Sequence, residues 1–305
     1  MKTFCSYFLI VLSISLYADL ENDSIQSAKN LNSSGEQLFI GYLSEKDKEI
    51  YNFDSDYIEK FPISSYRSTH VKNLGTFFID KENDTIKKHL FEGRIWESTI
   101  VDVIKKCAKP GITVLDIGAH IGTHSITMSK IVGKSGKVLA FEPNMKIYAE
   151  LCYNLSANNI QNVYPLRLAV GKESGIITTV TPLSTNEGGT FVIKTDSLEN
   201  ASFMLRLDDL NLNNVSFIKI DVENMEADVI DGAIKTIKRC SPILLIEIQG
   251  NQERPSLLNE NSVTMAKISK KKLMDLNYKL IQVTGIDYLC LPINKKNRNF
   301  KNNQF

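Results

Sequence analysis

The sequence predicts an open α/β fold, a mostly parallel seven-stranded sheet with helices on both faces. Three observations carry this. From Ser98 onward, strand-like apolar runs alternate with segments of helical period, which calls for parallel pairing through right-handed crossovers. The runs are continuously apolar, as in strands covered on both faces. The last two runs lie close together, so one of them is antiparallel.

The elements follow in order. STIVDVIKKCA places Ile100, Val101, Ile104 and Cys107 at helical spacing, and Pro110 with Gly111 ends that helix. ITVLDIG is the first strand, followed by a helix through SITMSKIV that closes at Gly133 and Gly136. KVLAFEP is the second strand, KIYAELCYNLSANN a helix with Ile147, Leu151 and Leu155 on one face, and NVYPLRLAV the third strand. A polar region from Gly171 to Gly189 predicts a hairpin. SFIKIDVE is the fourth strand, and EADVIDGAIKTIKRC is a helix with Val229, Ile230, Ala233, Ile234 and Ile237 inward. PILLIEI is the fifth strand. A helix around KKLMDL and the strands KLIQVTG and YLCLP complete the set. Ligands of such a sheet bind at the carboxyl ends of the strands, where the strand order reverses.

Outside this core, residues 1–18 (MKTFCSYFLIVLSISLYA) combine an early lysine, a short apolar run and a small final residue. That pattern reads as a secretory signal peptide or N-terminal membrane anchor, and the run is short for a span. Residues 19–95 form a polar extension with a small β-element around GTFFID, and residues 293–305 a basic polar tail. With 36 basic and 35 acidic residues the net charge is +1, so composition does not mark a nucleic-acid binder. Five cysteines without a CxxC pair read as core thiols rather than a disulfide framework or a zinc site. No metal site is expected.

Three segments carry chemistry. In DIGAHIG, Gly118 and Gly122 stand four residues apart behind Asp116, letting the chain turn tightly and a ligand approach the backbone before a helix N-terminus. The pyrophosphate spacing GxGxxG is absent, and no Walker lysine follows. In AFEP, Glu142 ends the second strand, where an acid accepts hydrogen bonds from ribose hydroxyls. In FIKIDVENMEADVIDGA, Lys219, Asp221 and Glu223 alternate, and the two acids fall at the carboxyl end of the fourth strand. Such carboxylates orient an ammonium group, accept a proton or hold a cation, or simply cap the next helix.

In this order and spacing, DIGAHIG, FEP and KIDVEN resemble the D-x-G-A-N-x-G, F-E-P and K-x-D-x-E-G segments of the FkbM family of S-adenosylmethionine-dependent methyltransferases, over about residues 96–292. LAVGKESG, RLDDL, PILLIEI and the late DYL add to the likeness. The resemblance implies a Rossmann-like sheet of the class I methyltransferase type, with S-adenosylmethionine as cofactor. Asp116, Gly118, Ala119, His120 and Gly122 would shape the methionine side of its site, Glu142 would hold the ribose, and Asp221 would lie near the sulfonium. Its acceptor would be a small molecule or glycan, O-methylated on a sugar, glycolipid or secondary-metabolite hydroxyl, with Asp221, Glu223 and His124 as candidate bases. Two positions depart from the family pattern: His120 stands for Asn, and Asn224 for Gly.

Two other readings stay open on the sequence alone. One is a nicotinamide-dependent oxidoreductase, which Glu142 would also suit. The other is a non-catalytic binding protein that kept the fold. An exported methyltransferase would also stand apart from its cytosolic cofactor supply, which sets residues 1–18 against the enzyme reading.

Overall fold

The computed structural model describes residues 60–80, 84–182, 186–197, 199–249 and 260–293. The signal-peptide or anchor reading of residues 1–18 and the basic tail beyond Ile293 lie outside these residues. Among the described residues, no helix is long and apolar enough to cross a membrane.

The chain begins with a hairpin of β1 (Arg67–Val71) and β2 (Gly75–Ile79), then α1 (Thr85–Phe91) and α2 (Ser98–Cys107). The alternating part runs β3 (Thr113–Ile117), α3 (Thr123–Val132), β4 (Lys137–Phe141), α4 (Met145–Ala157) and β5 (Val163–Leu166). Four short strands follow: β6 (Leu168–Val170), β7 (Gly175–Val180), β8 (Phe191–Lys194) and β9 (Ser202–Leu205). The chain then returns through β10 (Val215–Ile220), α5 (Glu226–Gly232), α6 (Ile234–Cys240), β11 (Ile243–Glu247), α7 (Glu260–Asp275), β12 (Tyr278–Gln282) and β13 (Asp287–Pro292).

The main sheet has the order β12-β13-β11-β10-β3-β4-β5. β10, β11, β3, β4 and β5 pair in parallel, while β13 is antiparallel to both of its neighbours. This is the expected seven-stranded open sheet with one reversed strand. Both faces are apolar, because alternate residues of each central strand serve different cores. Val114, Ala140, Phe217 and Leu245 pack with α3 and α4 on one face. Leu115, Leu139, Ile218 and Leu244 pack with α5, α6 and α7 on the other.

Two predicted elements are divided. NVYPLRLAV breaks at Arg167, and its second half, β6, joins a separate four-stranded sheet of order β6-β9-β7-β8. The cause is a buried guanidinium. Arg167 is 4% exposed, and its Nη1 donates to the Ala201 carbonyl at 2.9 Å. A buried cation needs such partners, and it finds them beside β9. The helix predicted over EADVIDGAIKTIKRC is two helices, because Gly232 presses on another backbone. A Cβ there would lie 1.8 Å from the Gly171 carbonyl oxygen.

The hairpin packs on the same core as the alternating part, through Val71, Leu74 and Phe77. It is also tied to α4 by polar side chains. Asn158 accepts from the Thr76 N–H at 2.9 Å and donates to the Thr76 carbonyl at 2.7 Å, while Asn154 accepts from the Phe78 N–H at 2.7 Å. These amides satisfy an edge of β2 that would otherwise be open.

Candidate functional site

The strand order reverses between β3 and β10, because the chain proceeds from β3 towards β5 on one side and from β10 towards β11 on the other. The carboxyl ends of β3, β4, β10 and β11 open there into a cleft of about 840 Å³. Its walls also include α1 (Thr85 and Ile86), Trp96 and Glu97 with the start of α2, β6, residues 186–192, and residues 284–287.

The first turn is built where two backbones meet. Gly118 has φ +82, and a Cβ on it would lie 1.7 Å from the Asp221 carbonyl oxygen. No side chain fits there, and only glycine adopts the conformation at low cost. The N–H groups of Gly118 and Ala119 both donate to the Phe141 carbonyl, at 3.0 and 2.9 Å, which fastens the turn to β4. His120, at φ 50, donates its backbone N–H to Glu142 Oε2 at 3.0 Å. Both of its ring nitrogens are shielded from solvent without a hydrogen-bond partner among the described residues. Burial holds the ring down to about 4, so it is neutral at physiological pH.

Asp116 lies behind the turn, fully buried. Its Oδ2 accepts from Ser125 Oγ at 2.6 Å, and its Oδ1 lies 3.8 Å from Lys219 Nζ. Lys219 is 5% exposed and reaches Asp221 Oδ2 at 3.0 Å. Burial alone would lower its pKa, but Asp221 and then Asp116 raise it above the ordinary lysine value. This buried cation therefore stays charged and fixes Asp221 at the strand end. Glu142 is 6% exposed. Besides His120, it accepts from the Asn144 N–H through Oε1 at 2.8 Å, and burial pushes its carboxyl up to about 7.

The second turn follows β10. Glu223 and Asn224 are both left-handed, at φ 50 and 73. The Asn224 N–H donates to Glu226 Oε1 at 2.9 Å. Asn thus takes the backbone conformation that glycine would take at this position, as asparagine does more readily than most residues. Gln249 Nε2 bridges Glu223 Oε2 at 2.6 Å and Glu247 Oε1 at 2.9 Å. Carboxylate oxygens of Asp221, Glu223 and Glu247 lie within 4.8 Å of one another. Burial, then the charge of Asp221, pushes Glu223 up to about 8 and Glu247 well above its ordinary value.

Gly118, His120, Glu142, Asp221 and Glu223 therefore line one cleft. Asp116, Ala119, Gly122 and His124 do not line it. His124 is 5% exposed, and its Nε2 lies 3.6 Å from Glu97 Oε2. Glu97, Glu247, Gln249 and Asp287 also stand on the wall, although none is among the site residues the sequence predicts. The strand-end rule that singled out Glu142 and Asp221 applies equally to Glu247 and Gln249 in PILLIEIQ. Seven carboxylates face the cleft, from Glu97, Glu142, Glu187, Asp221, Glu223, Glu247 and Asp287, and no lysine or arginine does among the described residues.

Residues 116–280 match the family model of the methyltransferase FkbM domain. The fold is similar to that of methyltransferase FkbM from Methylobacillus flagellatus KT, at 14% identity over 62% of this chain and 49% of that one, TM-score 0.39. This chain thus spans about half of that protein. It is also similar to a SAM-dependent methyltransferase from Aquifex aeolicus, at 18% identity over 64% and 92%, TM-score 0.40. A candidate rRNA methylase from Clostridium thermocellum is similar at 14% identity over 63% and 92%, TM-score 0.43. No curated protein matches the chain.

Proposed function

Because the chain belongs to the FkbM methyltransferase family and takes S-adenosylmethionine as its cofactor, we propose that it O-methylates a hydroxyl of a sugar, glycolipid or secondary metabolite. Family membership sets aside the nicotinamide-dependent alternative. The observation that carries the acceptor class is the charge of the cleft, with seven carboxylates and no lysine or arginine among its described wall residues. Phosphate-bearing acceptors need cations to offset their charge, whereas carboxylates accept hydrogen bonds from sugar hydroxyls.

The side chains present suit the cofactor. Each Glu142 oxygen accepts one backbone N–H and keeps a lone pair for a ribose hydroxyl. Asp221 sits on the cleft wall, where an ammonium or a sulfonium would gain from negative charge, and the His120 ring, unpartnered among the described residues, offers a donor or acceptor. Gly118 lets the turn close against the Asp221 backbone at the cleft wall. When bound, the cofactor supplies an electrophilic methyl group. The protein's part is alignment, which contributes several kcal/mol to such a transfer: Lys219 fixes Asp221, and α1 with residues 186–192 forms the acceptor wall. Residues 1–18 are read as a signal or anchor, which N-terminal sequencing of the mature protein would test.

The experiment is transfer of labelled methyl from S-adenosylmethionine to methyl glycosides and a glycolipid extract, beside RNA and sugar phosphates. Label is expected in base-stable methyl ethers of the neutral glycosides or glycolipids. Label confined to RNA or to sugar phosphates would refute the acceptor class.

A further inference from the structure

Among the described residues, Glu97 is the cleft carboxylate left uncommitted. The others are engaged. Glu142 holds two backbone N–H groups, Glu187 meets Lys87 and Lys146, and Asp221 meets Lys219. Glu223 and Glu247 share Gln249, and Asp287 accepts from Thr284. Glu97 sits just before α2 at φ 47, ψ 54, and its side chain does not cap that helix. An ordinary side chain in this conformation costs roughly 1–2 kcal/mol, and such outliers gather at functional sites. The carboxylate is 27% exposed at the cleft wall.

Behind it stands His124. Its Nε2 is 3.6 Å from Glu97 Oε2 and has no hydrogen-bond partner among the described residues. Burial, then the charge of Lys219, holds the imidazole well below its ordinary value. The ring is therefore neutral, and the contact is not an ion pair. A charged imidazole would clamp Glu97 as an anion and weaken it as a base, and a neutral ring leaves its proton affinity high. The other charged groups facing Glu97 are Asp221 and Lys219 at the end of β10 and Asp287 on β13.

We propose that Glu97 is the general base of the transfer, taking the acceptor hydroxyl's proton, with His124 as the positioning residue behind it. This rests on the hydroxyl-acceptor reading above. The acceptor oxygen forms its bond to the methyl carbon as the carbon–sulfur bond breaks. The pair from that bond stays on sulfur, and the hydroxyl proton passes to Glu97. Burial, then the charge of Asp221, pushes Glu97 up to about 7, a value suited to proton transfer near neutral pH.

The test compares binding of sinefungin and S-adenosylhomocysteine to the full chain by calorimetry. Sinefungin carries an ammonium where the sulfonium and its methyl would lie, so a carboxylate on the acceptor side favours it. At pH 8, Glu97→Gln should lower the sinefungin-to-S-adenosylhomocysteine affinity ratio about tenfold, the scale of one lost charge-assisted contact. At pH 5.5 Glu97 is already protonated, and the variant's ratio should match wild type. His124→Asn should shift the midpoint of the wild-type pH dependence while S-adenosylhomocysteine still binds. An unchanged ratio at pH 8 overturns the assignment, and so does an equal drop at both pH values, which would mean a merely structural role. If folded wild type binds neither ligand, the cofactor reading beneath it fails instead.

Discussion

Lys87→Met removes the cation at the centre of a buried cluster that joins α1, β2, α4 and the 186–192 wall. Lys87 is fully buried. Its Nζ lies 2.7 Å from Glu150 and 2.6 Å from Glu187, and it also bonds Asp80. Lys146 contacts the same three carboxylates. Methionine is similar in length and flexible, so the loss is mainly electrostatic, leaving one lysine against three acids. Breaking a buried pair in this way costs about 3–5 kcal/mol. The pH dependence follows from Glu150. Burial pushes it up to about 7, even though Lys87 and Lys146 pull it down. An acid whose folded pKa lies above its unfolded value loses stability as pH rises from the unfolded value through the folded one. Without Lys87 that folded value rises further, so the deficit grows with pH over this window. Lys87 itself is raised above the ordinary lysine value, so its own contribution is fully present below the unfolded lysine pKa and is lost only in alkali. Urea unfolding, followed by fluorescence of the single tryptophan, should show a deficit of about 3–5 kcal/mol at pH 8 and roughly half of it at pH 5.5. A deficit under about 1 kcal/mol at pH 8, or one independent of pH, would refute the reasoning.

Gly118→Ala forces a methyl group onto the Asp221 carbonyl at a left-handed position. Calorimetry should find S-adenosylhomocysteine binding lost, with roughly 2–5 kcal/mol of stability gone from strain and overpacking together. Wild-type affinity in this variant would contradict the close-approach argument. Glu142 has its folded pKa raised to about 7 by burial, so the ionised form that we propose accepts from ribose hydroxyls is lost as pH falls through that value. S-adenosylhomocysteine affinity should therefore weaken several-fold between pH 8 and 5.5, and Glu142→Ala should be weak at both and nearly flat. Asn224→Gly relieves a left-handed residue at φ 73 and should change the melting free energy by less than about 1 kcal/mol. Asn224→Val should cost more than that, and equal stability of the two variants would show that the turn does not need this conformation.

The fold was legible because its strands declare themselves. ITVLDIG, KVLAFEP, SFIKIDVE and PILLIEI are apolar runs between helical segments, and each is a parallel strand of the main sheet. Sequence pattern fails where one buried contact outweighs it. NVYPLRLAV reads as a single strand until Arg167 finds the Ala201 carbonyl. EADVIDGAIKTIKRC reads as a single helix until Gly232 meets Gly171. Both partners lie more than thirty residues away, so no window along the chain contains the cause.

The site was legible to a different depth, and its backbone explains why. Glu97, Gly118, His120, Gly122, Glu223 and Asn224 are all left-handed, yet only the two glycines, and more weakly Asn224, announce that in the sequence. Of the non-glycine residues, His120 is held by a long-range bond to Glu142 and Asn224 by a local one to Glu226. Strain of roughly 1–2 kcal/mol at each persists only where the surroundings over-determine it. Glycine marks the positions where a side chain is excluded, as where Gly118 meets the Asp221 carbonyl, so a glycine motif reveals where backbones meet at the turn. It says nothing about positions where a side chain is required in the same conformation. Glu97 is of that second kind. Its neighbours in sequence, Trp96 and Ser98, belong to no motif, and its chemical environment is assembled from α3, β10 and β13. A carboxylate made basic by distant elements is visible only once those elements are in place.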